Sequence, residues 1–213
     1  IGRERDHDGL EQCTEPRQYL YADAITVSKG PTEKSSSSGD DAIITIRDAH
    51  SGLLFMLPSQ HVKEEDYDMS LRFFVGPRKL SATVLVKSDN AEPIINAVEG
   101  IGWTPELSLA NRWPHNAVHE RAHGIAKSAI RAAIRMSGFP RRAWHLCVTY
   151  AWVALAISMQ AALLPHEKNA AGDPLEGVVK HLQSAWKAFH GTAFDGPVQL
   201  IGRLCWYRDH KNA

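Results

Sequence analysis

From Ala143 to Leu164 the chain runs for 22 residues (AWHLCVTYAWVALAISMQAALL) without an aspartate, glutamate, lysine or arginine. Such a run is stable either across a bilayer or as a helix wrapped on all sides by the rest of a domain. His145, Thr149, Ser158 and Gln160 interrupt it, which favours a buried helix starting at about Ala143. The remainder supplies what such a helix needs. With 213 residues, 44% of them hydrophobic and 23% charged, there is enough chain for one sizeable core, and wholesale disorder is excluded.

The other segments read in order. Residues 1–17 are polar and aperiodic, and the start at Ile1 without a leader suggests part of a longer polypeptide. QYLYADAIT (Gln18–Thr26) has strand composition, and Ser28–Asp41 is a loop of turn formers whose serine run, Ser35–Ser38, reads as solvent-facing. AIITIR (Ala42–Arg47) and LLFML (Leu53–Leu57), joined by DAHSG, predict a hairpin. Val62–Val75 is acidic early and apolar late, as a helix would be, and ATVLVK (Ala82–Lys87) reads as a strand covered on both faces. A short helix (AEPIINAVEG), an extended piece (GWTPELSL), a helix from Asn116 and the charge-free helix follow. After them come a polar link, a helical stretch over Leu175–Phe189 and a strand-like run, PVQLIGRLCWYR. The order β-β-β-α-β-α-β-α-α predicts an α/β fold with a mixed sheet flanked by helices. Cys13, Cys147 and Cys205 form no CxxC pair, so neither a disulfide framework nor a cysteine zinc site is supported and a reducing compartment fits; Cys147 and Cys205 read as buried thiols.

Charge is informative only locally. Lys+Arg and Asp+Glu are 24 each, yet between Asn111 and Leu146 Arg112, Arg121, Lys127, Arg131, Arg135, Arg141 and Arg142 face a single acid, Glu120. On a helix at about 100° per residue, Lys127 and Arg131 fall about 20° to either side of Glu120. The same projection predicts a core face of Val118, Ala122, Ile125, Ala129, Ala132, Ala133 and Met136, with Arg121 at its edge. A stripe of cations is either a solvated helix face or a track for phosphates.

Two more acids stand out. Asp23 interrupts an apolar strand, and Asp89 follows ATVLVK in the turn KSDNAEP, where it is either a ligand-binding carboxylate at a strand end or a helix N-cap. Carboxylates that converge with Glu120 would need a cation, and oxygen ligands with room for phosphate describe magnesium or manganese.

YADAIT, IITIRDAHSG, VLVKSDNAEP, and HNAVHER followed by SGFPRRAW resemble, in order, the integrase core of copia-type retrotransposons, within the retroviral integrase superfamily. The resemblance runs from about Tyr19 to Pro165 and implies a ribonuclease-H-like fold with a mixed five-stranded sheet. It divides the chain into a lead-in (1–17), the catalytic core (18–165) and a C-terminal extension of the polyprotein (166–213). It makes Asp23, Asp89 and Glu120 the catalytic, metal-binding triad, and Lys127, Arg131, Arg121 and Arg135 the DNA-binding cations. It further implies DNA as partner, a homo-oligomer, no membrane, and a location in the nucleus or in cytoplasmic virus-like particles. Ala91 and Ala117 stand where that family prefers glycine, and 30 residues separate Asp89 from Glu120, a few fewer than usual. A catalytically decayed, nucleic-acid-binding copy would carry the same signature.

One motif competes. His119-Glu120-Arg121-Ala122-His123 is a literal HExxH, which on a helix places two histidines on one face for zinc with the glutamate as base of a metallopeptidase. Against it, Arg121 takes an interior place in the motif, and beyond it only His145 or Glu167 offers a third ligand.

Overall fold

The structure is a computed structural model that describes residues 13, 15–27, 36–76, 84–107, 117–159, 183–199 and 201–202. The first three strand-like segments form an antiparallel meander of β1 (Tyr19–Thr26), β2 (Ala42–Asp48) and β3 (Leu54–Ser59). The β2–β3 turn is built by Asp48, whose carboxylate accepts from the Ser51 amide and hydroxyl at 2.6 Å each, and by Gly52, which takes the left-handed φ of 73°. Helix α1 (Glu64–Val75) opens with three acids against its N-terminal dipole and leads to β4 (Leu85–Ser88); α2 (Glu92–Ile101) then leads to β5 (Thr104–Leu107). Helical crossovers make these strands parallel, so the sheet order is β3-β2-β1-β4-β5 with β1 at its centre. The five-stranded mixed sheet is the one expected.

Strand alternation divides the sheet into unlike faces. One carries Leu20, Ala22, Ile44, Ile46, Phe55, Val84 and Val86, and is covered by Tyr67, Leu71 and Phe74 of α1 and by Ile94, Ala97 and Val98 of α2. Each such aliphatic side chain contributes about 1.5–3 kcal/mol through burial. The other carries Tyr19, Tyr21, Asp23, Thr45, Arg47 and Lys87 in its middle, flanked by Ile25, Ile43, Leu54 and Met56. Beside the latter group pack α3 (Ala117–Ser137) and, after a 3₁₀ turn (Arg141–Ala143), α4 (Trp144–Ser158). Helix α4 is the charge-free segment, buried through Trp144, Cys147, Val148, Ala151 and Ala156. Among the described residues no helix is long and apolar enough to cross a membrane. Helix α5 (Ala185–His190), capped by the Ser184 hydroxyl, sends Ala185 and Phe189 into the first core, where Phe189 meets Phe74 with ring centroids 4.9 Å apart.

Four expectations are corrected. Strand β4 alternates between half-buried Leu85 and Lys87 and buried Val86 and Ser88, because Lys87 turns to Glu106 on β5 at 2.8 Å. The serine run is no solvent loop at Ser36, which is buried and bonded to Asp40, while the Ser37 amide docks on the Arg142 carbonyl at 2.7 Å. Residues 197–199 and 201–202 form no strand. The core face of α3 is rotated: Ala122, Ala126, Ile130, Ala133 and His119 are buried, whereas Ile125 and Met136 are exposed and Arg121 lies in solvent. The polar link, most of Leu175–Phe189, Cys205, and the side chains of Ala117 and Val118 lie outside the described residues.

Candidate active site

The parallel pairing of the two central strands sets the site. Tyr21 of β1 is in register with Lys87 of β4, and two residues further along come Asp23, within the central strand β1, and Asp89, just past the end of β4. Neighbouring strands lie about 4.8 Å apart, so the pairing directs both acids to the same region. Asp89 is exposed and does not cap α2, whose N-cap is Ala91; it only approaches the Ala91 amide, at 3.4 Å. Glu120 is exposed in the first turn of α3.

Asp23 feels the charge of both other acids. Burial pushes the Asp23 carboxyl up from 3.8 to about 6; the Ala24 amide, which donates to it at 2.7 Å, opposes this, and the charges of Asp89 and Glu120 add to it. The ammonium of Lys127 pulls the other way, so this lysine lies within the same field. Arg121, Arg131 and Arg135 are all exposed along α3.

Behind Asp23 lies a network that the triad does not include. Thr45 is the cross-strand partner of Asp23, and its buried hydroxyl donates to the Asp23 carbonyl at 3.0 Å. The same oxygen is 2.9 Å from Nε2 of His119 and 2.8 Å from Nε2 of His123. His119 is fully buried, its ring stacked on Tyr21 and edge-on to His123. Burial, then the neighbouring His123 and Arg47, push His119 down to about 3; burial and Lys127 push His123 down to about 4. Both rings are therefore neutral near pH 7. His123 Nδ1 faces Asp23 Oδ2 at 3.9 Å, too far for a hydrogen bond. Asp23, His119 and His123 each bring one possible ligand atom within 4.8 Å of the others.

By sequence, no family model and no curated protein matches this chain. By structure, it is similar to the HTLV-2 integrase catalytic core domain, solved in complex with magnesium in a trimeric form. The TM-score is 0.52 at 13% identity, covering 83% of this chain and 99% of that one. It is similar also to a chain of the simian T-cell lymphotropic virus intasome solved in complex with PP2A regulatory subunit B56 gamma. There the TM-score is 0.57 at 11% identity, over 91% of this chain and 61% of that one. The fold is that of an integrase catalytic core.

Within this integrase-type core the histidines are the residues that sequence reasoning set aside. Two signals were present: a threonine inside the aliphatic strand AIITIR, and histidines four apart on α3. The interior place assigned to Arg121 belongs to His119, since the buried face of the helix turns toward Thr45.

Proposed function

We propose that this chain is the catalytic core of a copia-type DNA integrase, a polynucleotidyl transferase that trims element DNA ends and joins them to target DNA. The observation that carries the reading is that Asp23, on the central strand of an integrase-type sheet, feels the charges of both Asp89 and Glu120. The donor set fits a hard divalent cation: the charges of Asp89 and Glu120 raise the cost of ionising Asp23, and magnesium or manganese would offset it. Asp23, Asp89 and Glu120 would hold it, and it would supply stabilisation of charge developing on the phosphoryl oxygens.

The chain's own residues do the rest. Asp23 is fixed by a central strand and by the Ala24 amide, so its carboxylate is oriented before substrate arrives. Lys127, close enough to act on Asp23, attracts a phosphate beside the carboxylates, while Arg131, Arg135 and Arg121 extend the cationic track along α3 for the duplex backbone. Water is the nucleophile for trimming and the freed 3′-hydroxyl the nucleophile for joining. A homo-oligomer on DNA suits this role, and the trimeric form and the intasome of the similar structures support it; the nucleus or virus-like particles would be its place of action.

Strand transfer of labelled duplex ends with magnesium or manganese tests the proposal. The wild-type chain is expected to join ends, and Asp89→Asn to lose joining while keeping its fold. A wild-type chain that binds duplex DNA but joins nothing under either metal would instead favour the decayed, DNA-binding reading. The metallopeptidase is less well supported, because the sheet has integrase topology and Nε2 of both histidines is bonded to the buried Thr45 hydroxyl, not directed at a peptide-binding cleft.

A further inference from the structure

We propose that Asp23, His119 and His123 form a separate binding position for an imidazole-preferring divalent cation such as zinc, sharing Asp23 with the carboxylate triad. The proposal starts from proton counting at Thr45. A hydroxyl has one proton and two lone pairs. The proton of Thr45 goes to the Asp23 carbonyl at 3.0 Å, which can only accept, so both imidazoles must donate to the hydroxyl oxygen through Nε2–H. Each neutral ring then carries its lone pair on Nδ1. For His123 that lone pair faces the Asp23 carboxylate oxygen at 3.9 Å. Two acceptors pointed at each other repel unless a proton or a cation lies between them; ligands of a tetrahedral zinc stand about 3.4 Å apart, so the pair closes by about half an ångström when an ion binds. His119 completes the set: one of its ring nitrogens lies within 4.8 Å of the other two ligand atoms, wider than one ion allows, so the three draw together on binding.

The donor chemistry separates this position from the magnesium one. Two imidazoles and one carboxylate select zinc, cobalt or nickel, whereas three carboxylates select magnesium or manganese. Because Asp23 belongs to both sets, a zinc ion held by the histidines withdraws a ligand from the triad. Zinc therefore inhibits the magnesium-dependent reaction. Binding does not depend on the transferase reading; the inhibition rests on it.

The test titrates cobalt(II), then zinc, into the full metal-free chain with magnesium in excess. One cobalt per chain with visible d–d absorption is expected, displaced by zinc, and zinc is expected to raise Tm. His123→Asn, a half-buried position that should fold, is expected to weaken cobalt binding at least about tenfold and to abolish the zinc shift in Tm. His119→Gln, with its fold checked by circular dichroism, is expected to weaken it as well. Asp89→Asn and Glu120→Gln should leave the cobalt spectrum in place. Absence of stoichiometric cobalt, equal binding by His123→Asn, or loss of the spectrum in Glu120→Gln would overturn the proposal. If the chain joins DNA ends, zinc is expected to inhibit the wild type at lower concentration than it inhibits His123→Asn. If it joins none, the transferase reading fails while the spectra still decide the metal site.

Discussion

The two faces of the sheet are built from the same strands and share almost no chemistry. Under α1 and α2, Leu20, Ile44, Ile46 and Val86 pack with aromatic and aliphatic partners. One residue away along the same strands stand Tyr21, Asp23, Thr45 and Lys87: Thr45 bonds Asp23 and both histidines of α3, Tyr21 stacks on His119, and Lys87 pairs with Glu106 of β5. The dry face specifies where the strands lie. The polar face uses that rigidity to hold groups that would be costly to bury without partners. A change on either face should report on a different property, and this separation can be tested.

The largest effect is expected at the edge of the polar face. Asp89→Asn removes a charge and an oxygen ligand from an exposed position, so strand transfer should fall by about 100-fold or more. Tm should scarcely change, because an exposed side chain away from packing contributes within about 0.5 kcal/mol. Parallel loss of activity and of Tm in this variant would break the division between the faces.

Next comes the contrast between neighbours on β2. Ile44→Ala empties a fully buried site on the dry face and should cost about 2–5 kcal/mol in urea unfolding. Thr45→Val keeps the volume but strands the Nε2–H donors of His119 and His123, at about 1–3 kcal/mol for an unmet buried donor. Thr45→Ser should restore most of that loss. If serine does no better than valine, the hydroxyl is not what holds the two rings.

The dry face was largely legible in the sequence and the polar face only in part, for one physical reason. Hydrophobic periodicity reports which side chains avoid water, so it found β1 to β5 and the charge-free α4. It says nothing about a polar group satisfied inside. On α3 it placed Ile125 and Met136 inward by their type, whereas the helix turns His119 inward because Thr45 offers it a partner. Asp23 and Asp89 were legible because acids on or beside apolar strands break the pattern. His119 and His123 broke it as well, but the HExxH spacing left only His145 or Glu167 as a third ligand. Asp23, close in space and 96 residues before His119, is the neighbour that spacing along one helix could not show.

Acid should also tell the faces apart. His119 and His123 have an ordinary value of 6.5 and are pushed down to about 3 and about 4. Their contribution is present in full above about 6.5 and is lost as pH falls toward those lower values. Asp23, raised from 3.8 to about 6, acts in the opposite sense: its contribution is present in full below 3.8 and lost as pH rises through about 6. Two histidines shifted further than one aspartate should dominate, so Tm of the metal-free chain is expected to fall between pH 6.5 and 4. His123→Asn should make that fall shallower and Asp23→Asn steeper. A wild-type Tm that rises on acidification would mean that the carboxylate outweighs the rings.

The smallest effect on the fold is expected where the polar face opens to solvent. Lys127 and Arg131 are exposed on α3, and Lys127 already acts on Asp23 through space. Each phosphate neutralised by a cation releases counterions, so Lys127→Ala with Arg131→Ala should flatten the slope of log affinity against log salt by roughly 1.8 on duplex DNA. The loss should be alike for unrelated sequences, since phosphates carry no base identity. Unfolding should move by no more than about 0.5 kcal/mol, because neither side chain is buried. Fluorescence titrations at several salt concentrations measure the slope. An unchanged slope in the double variant would make the stripe an ordinary solvated face and would move DNA binding to other cations of the chain; a flattened slope with intact stability would tie the outer side of α3 to DNA as its inner side is tied to Thr45.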